Sequence, residues 1–241
     1  MIAMARLLAP RSFALGGLVT VGTILLAAAI IPAGMLIAQP RDVPFLELDT
    51  GWHDFMASLR APWWDGVNWV LNALGFLGAL LLQALLATIL ILRRRPGTAA
   101  FCILAGFVGL LVTQLAKALI DRSRPAEAVV LSDSGSYPSG HVSATTVLLV
   151  VLALLIGRLW AWIISLLGIL SMMLSRTYLA AHWLMDVVGA ACFSIGVVLL
   201  LWIAFQRACV QENVDAERIL TWRARAARRR RAEGRAESAP Q

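Results

Sequence analysis

Residues 142–174 have the sequence VSATTVLLVVLALLIGRLWAWIISLLGILSMML, in which Arg158 is the one charged side chain. As a single helix this stretch would be roughly 50 Å long at about 1.5 Å per residue, which is longer than a bilayer is thick. Two shorter helices joined by a tight turn at Gly157 and Arg158 fit a membrane instead. The sequence therefore predicts a helical hairpin embedded in lipid.

Apolar blocks of this kind recur along the whole chain, of which 60% is hydrophobic and only 15% is charged. A soluble domain of 241 residues could not bury so many apolar side chains. We therefore expect an all-α, polytopic membrane helix bundle, and the disordered, collagen-like and secreted disulfide-rich classes are excluded. The six predicted spans are residues 13–38, 67–92, 99–120, 142–156, 159–174 and 183–205.

The basic residues are divided unevenly between the two sides that six spans define. Fifteen of the 21 lie on the side of the two termini, nine of them in an arginine-rich tail. By the positive-inside rule both termini are then cytoplasmic. We expect residues 1–205 to form the six-span domain. Residues 206–241 are expected to form a basic, partly disordered cytoplasmic tail that contacts anionic lipids and not nucleic acid. The outward side has six basic residues, namely Arg41, Arg60, Lys117, Arg122, Arg124 and Arg176.

The outward segment 41–65 contains Trp52, Trp63 and Trp64 among acidic residues. Tryptophan is enriched at membrane interfaces, so the segment is predicted to be an interfacial element over the outer leaflet. The aromatic belt explains these tryptophans, and we assign them no chemistry.

A first polar cluster, KALIDRSRP at residues 117–125, follows the third span. Lys117 and Arg124 are seven residues apart, close to two helical turns, so a helix would project both from one face. Pro125 discourages helix from Arg124 onward. The alternative is that Lys117 pairs with Asp121 at i+4 and Arg124 is a solvated loop charge.

A second cluster, YPSGH at residues 137–141, precedes the fourth span. Ser139 is a favoured N-cap, and the first amides of the following helix form an anion site. Gly140 lets the backbone approach an oxyanion without a Cβ clash. The alternative is a plain helix cap with His141 at the interface by chance.

A third cluster, SRTYLAAHWLMD at residues 175–186, contains Arg176, His182 and Asp186. His182 and Asp186 are four residues apart, so on a helix the carboxylate can accept a hydrogen bond from the imidazole and leave its second nitrogen free. Asp186 is the one acid inside a predicted span, and a carboxylate there needs a partner. The alternative is a purely structural pair. Since the predicted topology places all three clusters on the outward side, together they predict a phosphate pocket with a nucleophile and an acid.

The three motifs in this order, K-x6-RP, PSGH and SR-x5-H-x3-D, resemble those of the type 2 phosphatidic acid phosphatase superfamily, whose pocket is shared with vanadium haloperoxidases. The match covers residues 117–186 without a substitution. The resemblance implies that His182 attacks phosphorus to form a phosphohistidine, oriented by Asp186, while His141 protonates the leaving oxygen and later activates water. It further implies phosphate-binding roles for Lys117, Arg124, Ser139, Gly140 and Arg176, and no metal or other cofactor.

Other classes fit the sequence less well. An intramembrane serine protease using Ser139 would need glycine at Tyr137, and proteolysis has no use for three cations. A zinc site built from His141, His182 and Asp186 would be repelled by the same cations. An anion carrier or channel would not need a His-Asp pair beside a second histidine, and haloperoxidases are generally soluble.

The expected protein is thus a multi-pass plasma-membrane enzyme with its site facing the periplasm or exterior, acting on a lipid phosphate in the outer leaflet. Three cations suit a diphosphate, so undecaprenyl diphosphate is the favoured substrate. Phosphatidate and phosphatidylglycerol phosphate are alternatives, and transfer of the phosphate to another lipid also stays open. The selecting residues are expected in segments 41–65 and 126–137. The sequence predicts no oligomeric state.

Overall fold

The computed structural model describes residues 7–128 and 135–237, with side chains described as far as Trp222. Every regular element within these ranges is a helix, which confirms the all-α prediction. Residues 129–134, in the segment expected to help select the substrate, lie outside the described residues. The elements are α1 (Leu15–Ala38), α2 (Leu46–Ser58), α3 (Pro62–Ala73), a π-helical turn (Leu74–Gly78), α4 (Ala79–Leu92), α5 (Pro96–Ile120), α6 (Gly140–Ile156), α7 (Leu159–Tyr178) and α8 (Leu184–Glu237).

Five helical stretches are long and apolar enough to cross a membrane. They are Leu15–Ala38, Pro62–Leu92, Pro96–Ile120, Leu159–Tyr178 and Leu184–Trp222. The predicted fourth span falls in α6, an apolar helix of 17 residues that is shorter than the other five. A sixth crossing therefore stays a prediction, as does the cytoplasmic location of the termini.

The predicted hairpin is confirmed by the join between α6 and α7. Gly157 closes α6 in the left-handed region at φ 64°, and its N–H donates to Ala153 O at 2.9 Å. Glycine adopts this conformation without a Cβ penalty, so the chain turns sharply at the helix end. Helix α7 then begins at Leu159.

The core lies where α6 packs against α5, α7 and α8, and α1 packs along α8. Buried hydroxyl groups tie three of these helices together, since Ser143 Oγ on α6 lies 2.8 Å from Thr113 Oγ1 on α5 and 2.9 Å from Ser194 Oγ on α8. Interhelical hydrogen bonds of this kind fix neighbouring helices in an apolar medium. The bonds hold the ends of α5, α6 and α8 in a defined register.

Helix α8 continues without a break through residue 206, where the basic tail was predicted to begin. Its continuation also contacts the rest of the bundle. Gln206 Oε1 accepts a hydrogen bond from Phe13 N at 2.9 Å, and Glu212 accepts bonds from Gly97 N and Thr98 N at the start of α5. The first part of the predicted tail is therefore packed on the helices of the domain.

Candidate active site

The three predicted clusters meet at one end of the bundle. Helices α5 and α7 end there, and α6 and α8 begin there. The opposite direction of neighbouring helices thus brings segments far apart in sequence into one place. We call this the Lys117 end, and the other end of α5 the Arg95 end.

Lys117 and Arg124 converge, but not along a common helical face as predicted. Helix α5 ends at Ile120 because Asp121 adopts the left-handed conformation, at φ 42° and ψ 44°. The two cations meet instead at one carbonyl oxygen, that of Gly135, with Lys117 Nζ at 2.5 Å and Arg124 Nη2 at 3.4 Å. The loop after α5, and not a common face of the helix, therefore brings the two cations together.

Ser139 stands at the N-cap of α6 with an extended backbone, but its side chain makes no capping bond. Its Oγ is buried and has no hydrogen-bond partner. Gly140 lies close to Lys117, since a Cβ on Gly140 would be 3.8 Å from Lys117 Cε. An unbonded hydroxyl, the first amides of a helix and a cation therefore lie together, which is the composition of an anion site.

His182 precedes α8, so the expectation that the His-Asp pair lies on one helix is wrong. The two side chains nevertheless face each other, with His182 Nδ1 3.6 Å from Asp186 Oδ2. The other ring nitrogen, Nε2, lies 3.4 Å from Arg124 Nη1. Burial lowers the pKa of His182 to about 4, against the opposing effect of Asp186. The ring is therefore neutral near pH 7, the form in which imidazole is a nucleophile.

Arg176 and His141 complete the predicted set. Arg176 is only 1% exposed, and its Nη1 donates to Asn72 Oδ1 at 2.5 Å. The His141 ring lies 5.8 Å from the Phe76 ring, between centroids. All the predicted site residues are thus at the Lys117 end, namely Lys117, Arg124, Ser139, Gly140, His141, Arg176, His182 and Asp186.

Two charged residues that the sequence did not assign to the site are joined to it. Arg122 Nη1 donates to Asp186 Oδ1 at 2.7 Å, and its Nη2 donates to Asp49 Oδ2 at 2.5 Å. Asp49 is fully buried, and its Oδ1 accepts a bond from Met185 N at 2.8 Å. Burial raises the pKa of Asp49, although Arg122 opposes the shift. One guanidinium therefore links the carboxylate behind His182 to helix α2.

Asp49 was missed because its segment was explained by its tryptophans alone. Its partner Arg122 was counted only as an outward charge within the first cluster. A buried carboxylate needs a cation, but no spacing rule relates two residues 73 positions apart. Only the tertiary packing of α2 over the Lys117 end brings them together.

A metal centre is not assembled from these groups. Within residues 7–128 and 135–222, no three His, Cys, Asp or Glu side chains are grouped so as to hold a metal ion. The charges that could face an anion are instead those of arginine and lysine.

Buried cations and a His-Asp pair thus lie together at one end of an all-helical bundle, and comparison with known proteins gives the family. The model of the PAP2 superfamily matches residues 69–209. The chain therefore belongs to the PAP2 superfamily. Among the curated protein sequences compared with it, none matches significantly.

The fold is also similar to a solved structure, that of a transmembrane PAP2-type phosphatidylglycerolphosphate phosphatase from Bacillus subtilis. The TM-score is 0.64 at 23% sequence identity, and the match covers 73% of this chain and 93% of the other. At this identity the likeness concerns the fold.

Proposed function

We propose that this protein is an integral membrane phosphatase that hydrolyses the terminal phosphate of a lipid phosphate or diphosphate. The observation that carries the proposal is the convergence at the Lys117 end of a buried histidine with three cations, a carboxylate and an open helix N-terminus. Phosphoryl transfer mostly requires positioning and charge stabilisation, which these groups supply.

The first step uses the nitrogen of His182 that faces away from Asp186. His182 Nε2 forms a bond to phosphorus while the bond from phosphorus to the lipid oxygen breaks. His141 gives a proton to that oxygen, so the lipid leaves as an alcohol or a monophosphate. Asp186 faces Nδ1 at 3.6 Å and stabilises the positive charge that develops on the ring.

In the second step the phosphohistidine is hydrolysed, and His141 acts as the base instead of the acid. Water gives a proton to His141 and attacks phosphorus, the bond to Nε2 breaks, and inorganic phosphate leaves. Lys117, Arg124 and Arg176 neutralise the phosphoryl oxygens, with Ser139 Oγ and the Gly140 amide as further donors.

Metal independence is part of the proposal, because the cations occupy the place that a metal ion has in other phosphatases. We expect full activity in EDTA and inhibition by orthovanadate, which adopts the five-coordinate geometry of phosphoryl transfer. Loss of activity in EDTA that zinc or magnesium restores would contradict this part.

The proposed location is a bacterial plasma membrane with the Lys117 end outside, as the distribution of basic residues favours. A reporter fused after Gln241 should then be cytoplasmic. A Glu127→Cys variant in a background without the three natural cysteines should react with an impermeant thiol reagent added outside. Glu127 is suitable because its side chain is 63% exposed.

The favoured substrate is undecaprenyl diphosphate, since three cations match the charge of a diphosphate. Phosphatidylglycerol phosphate is the main rival, and it is the substrate for which the Bacillus subtilis phosphatase of similar fold is named. The test is phosphate release by purified protein from undecaprenyl diphosphate, phosphatidylglycerol phosphate and phosphatidate, with His182→Ala as the inactive control. Activity equal to wild type in that control, or no release from any lipid, would contradict the proposal.

A further inference from the structure

Helix α3 is continued into α4 by the π-helical turn Leu74–Gly78. This irregular segment lies against His141, which is first the acid and then the base of the proposed mechanism. A built Cβ on Gly75 would be 3.1 Å from His141 Cδ2 and 2.6 Å from Met172 Cε, so the backbone there touches the histidine. π-helical turns inside α-helices occur frequently at functional sites. None of the three sequence motifs includes this segment.

The widened turn exposes a carbonyl group that a side chain of α6 binds. In a π-helical turn the hydrogen bonds run from i to i+5, so some carbonyl groups lose the partners of a regular α-helix. Thr145 Oγ1 donates to Gly75 O at 2.9 Å, and the same residue, Gly75, has its backbone against the His141 ring. Both side chains lie on α6, one turn apart. The turn therefore fixes the first turns of α6, including His141.

The side chain of Asn72 binds a second site residue. Its Oδ1 accepts the 2.5 Å bond from Arg176 Nη1, while Arg176 Nε is buried without a hydrogen-bond partner. A guanidinium this deeply buried depends on the polar groups that contact it. Asn72 therefore contacts a proposed phosphate-binding cation with its side chain, two residues before the π-helical turn that lies against His141.

We propose that Asn72 is a positioning residue, which holds the Arg176 guanidinium in the orientation that binds the phosphoryl group. The proposal rests on the function proposed above. The amide oxygen of Asn72 accepts from Arg176 without adding a charge that would compete with the phosphate.

The chain offers a matched control for this proposal in Asn68. This asparagine lies one turn earlier on α3, is 5% exposed, and donates to Trp64 O at 2.8 Å within its own helix. Asn68→Ala and Asn72→Ala therefore remove the same group from the same helix. Only the second change removes a contact with a proposed site residue.

The experiment measures inhibition by inorganic phosphate and turnover of two substrates in detergent-solubilised full-length protein. Asn72→Ala should weaken inhibition by phosphate by about 10- to 100-fold, since a hydrogen bond to a charged group is lost. Its kcat/KM should fall by a similar factor on phosphatidate and on p-nitrophenyl phosphate, because both substrates place a phosphoryl group against Arg176. Asn68→Ala should leave both quantities unchanged.

An isosteric variant covers the case in which the alanine variant does not fold. Asn72→Asp keeps the acceptor oxygen but adds a negative charge beside Arg176, so phosphate should again bind more weakly than to the wild type. Wild-type inhibition by phosphate in both Asn72 variants, or equal losses in Asn72→Ala and Asn68→Ala, would overturn the proposal. A wild-type protein that turns over neither substrate would instead contradict the proposed function itself.

Discussion

The two ends of helix α5 both have arginines beside them, but the side chains differ in burial and in partners. At the Lys117 end Arg176 is 1% exposed, and Arg122 bonds two carboxylates. At the Arg95 end Arg93 and Arg94 are exposed, and only Arg95 is buried. Buried arginines need partners or a bound anion, whereas Arg93 and Arg94 are solvated.

The difference separates two uses of the same residue type. Exposed arginines at a membrane boundary favour one orientation of the chain and contact anionic lipids. Buried arginines around an open helix N-terminus can bind an anion. Composition counts both kinds equally, so only burial and contacts distinguish the proposed phosphate site from charges that set topology.

The largest expected contrast comes from replacing one arginine at each end by alanine. Arg176→Ala should lower kcat/KM for lipid phosphate by about 100- to 1000-fold, as the loss of a preorganised cation does in other enzymes. Arg93→Ala should leave kcat/KM unchanged, because Arg93 is exposed at the opposite end of α5 and is one of fifteen basic residues predicted to lie on that side. Steady-state kinetics on both purified variants measures the contrast.

Two observations control this first test. Both variants should insert and elute as the wild type does in size-exclusion chromatography, and Arg176→Lys should recover part of the activity because it keeps the charge. A similar loss at both ends would show that burial does not separate the two groups of arginines.

A smaller loss is expected when the link to helix α2 is broken. Asp49→Asn removes the negative charge that Arg122 shares with Asp186, so Asp186 is held less firmly behind His182. We expect kcat to fall by about 10-fold, in line with the free energy of one hydrogen bond to a charged group. Asp54→Asn, on an exposed position of the same helix, is the control. Normal kcat for Asp49→Asn would limit Asp49 to a structural role.

The smallest effect on catalysis is expected at the Arg95 end, where Glu212 caps α5. Its carboxylate accepts bonds from Gly97 N at 2.6 Å and Thr98 N at 3.0 Å. Glu212→Ala should lower the free energy of unfolding by about 1 kcal/mol, a typical value for a lost helix cap, and leave kcat unchanged. Thermal unfolding with Asp215→Ala as control measures this. A large fall in kcat would mean that this end also contributes to the reaction.

Much of this molecule could be predicted from its sequence because hydropathy and short motifs are local signals. The hairpin at Gly157 and all eight candidate site residues follow from them. The route by which Lys117 meets Arg124 could not be predicted, since it depends on where α5 ends and on the carbonyl of Gly135. Asp49 and Asn72 were missed for the same reason, because each acts on a residue more than 70 positions away.

The central claim is that His182 becomes covalently bonded to phosphorus. The most direct test is to mix purified protein with undecaprenyl diphosphate labelled with ³²P at the terminal phosphate, quench in base within milliseconds, and locate the label by digestion and mass spectrometry. We predict an acid-labile, base-stable label on the peptide that contains His182, and none in His182→Ala. Phosphate release by the wild type with no labelled protein at any quench time, or a label on another residue, would contradict the account.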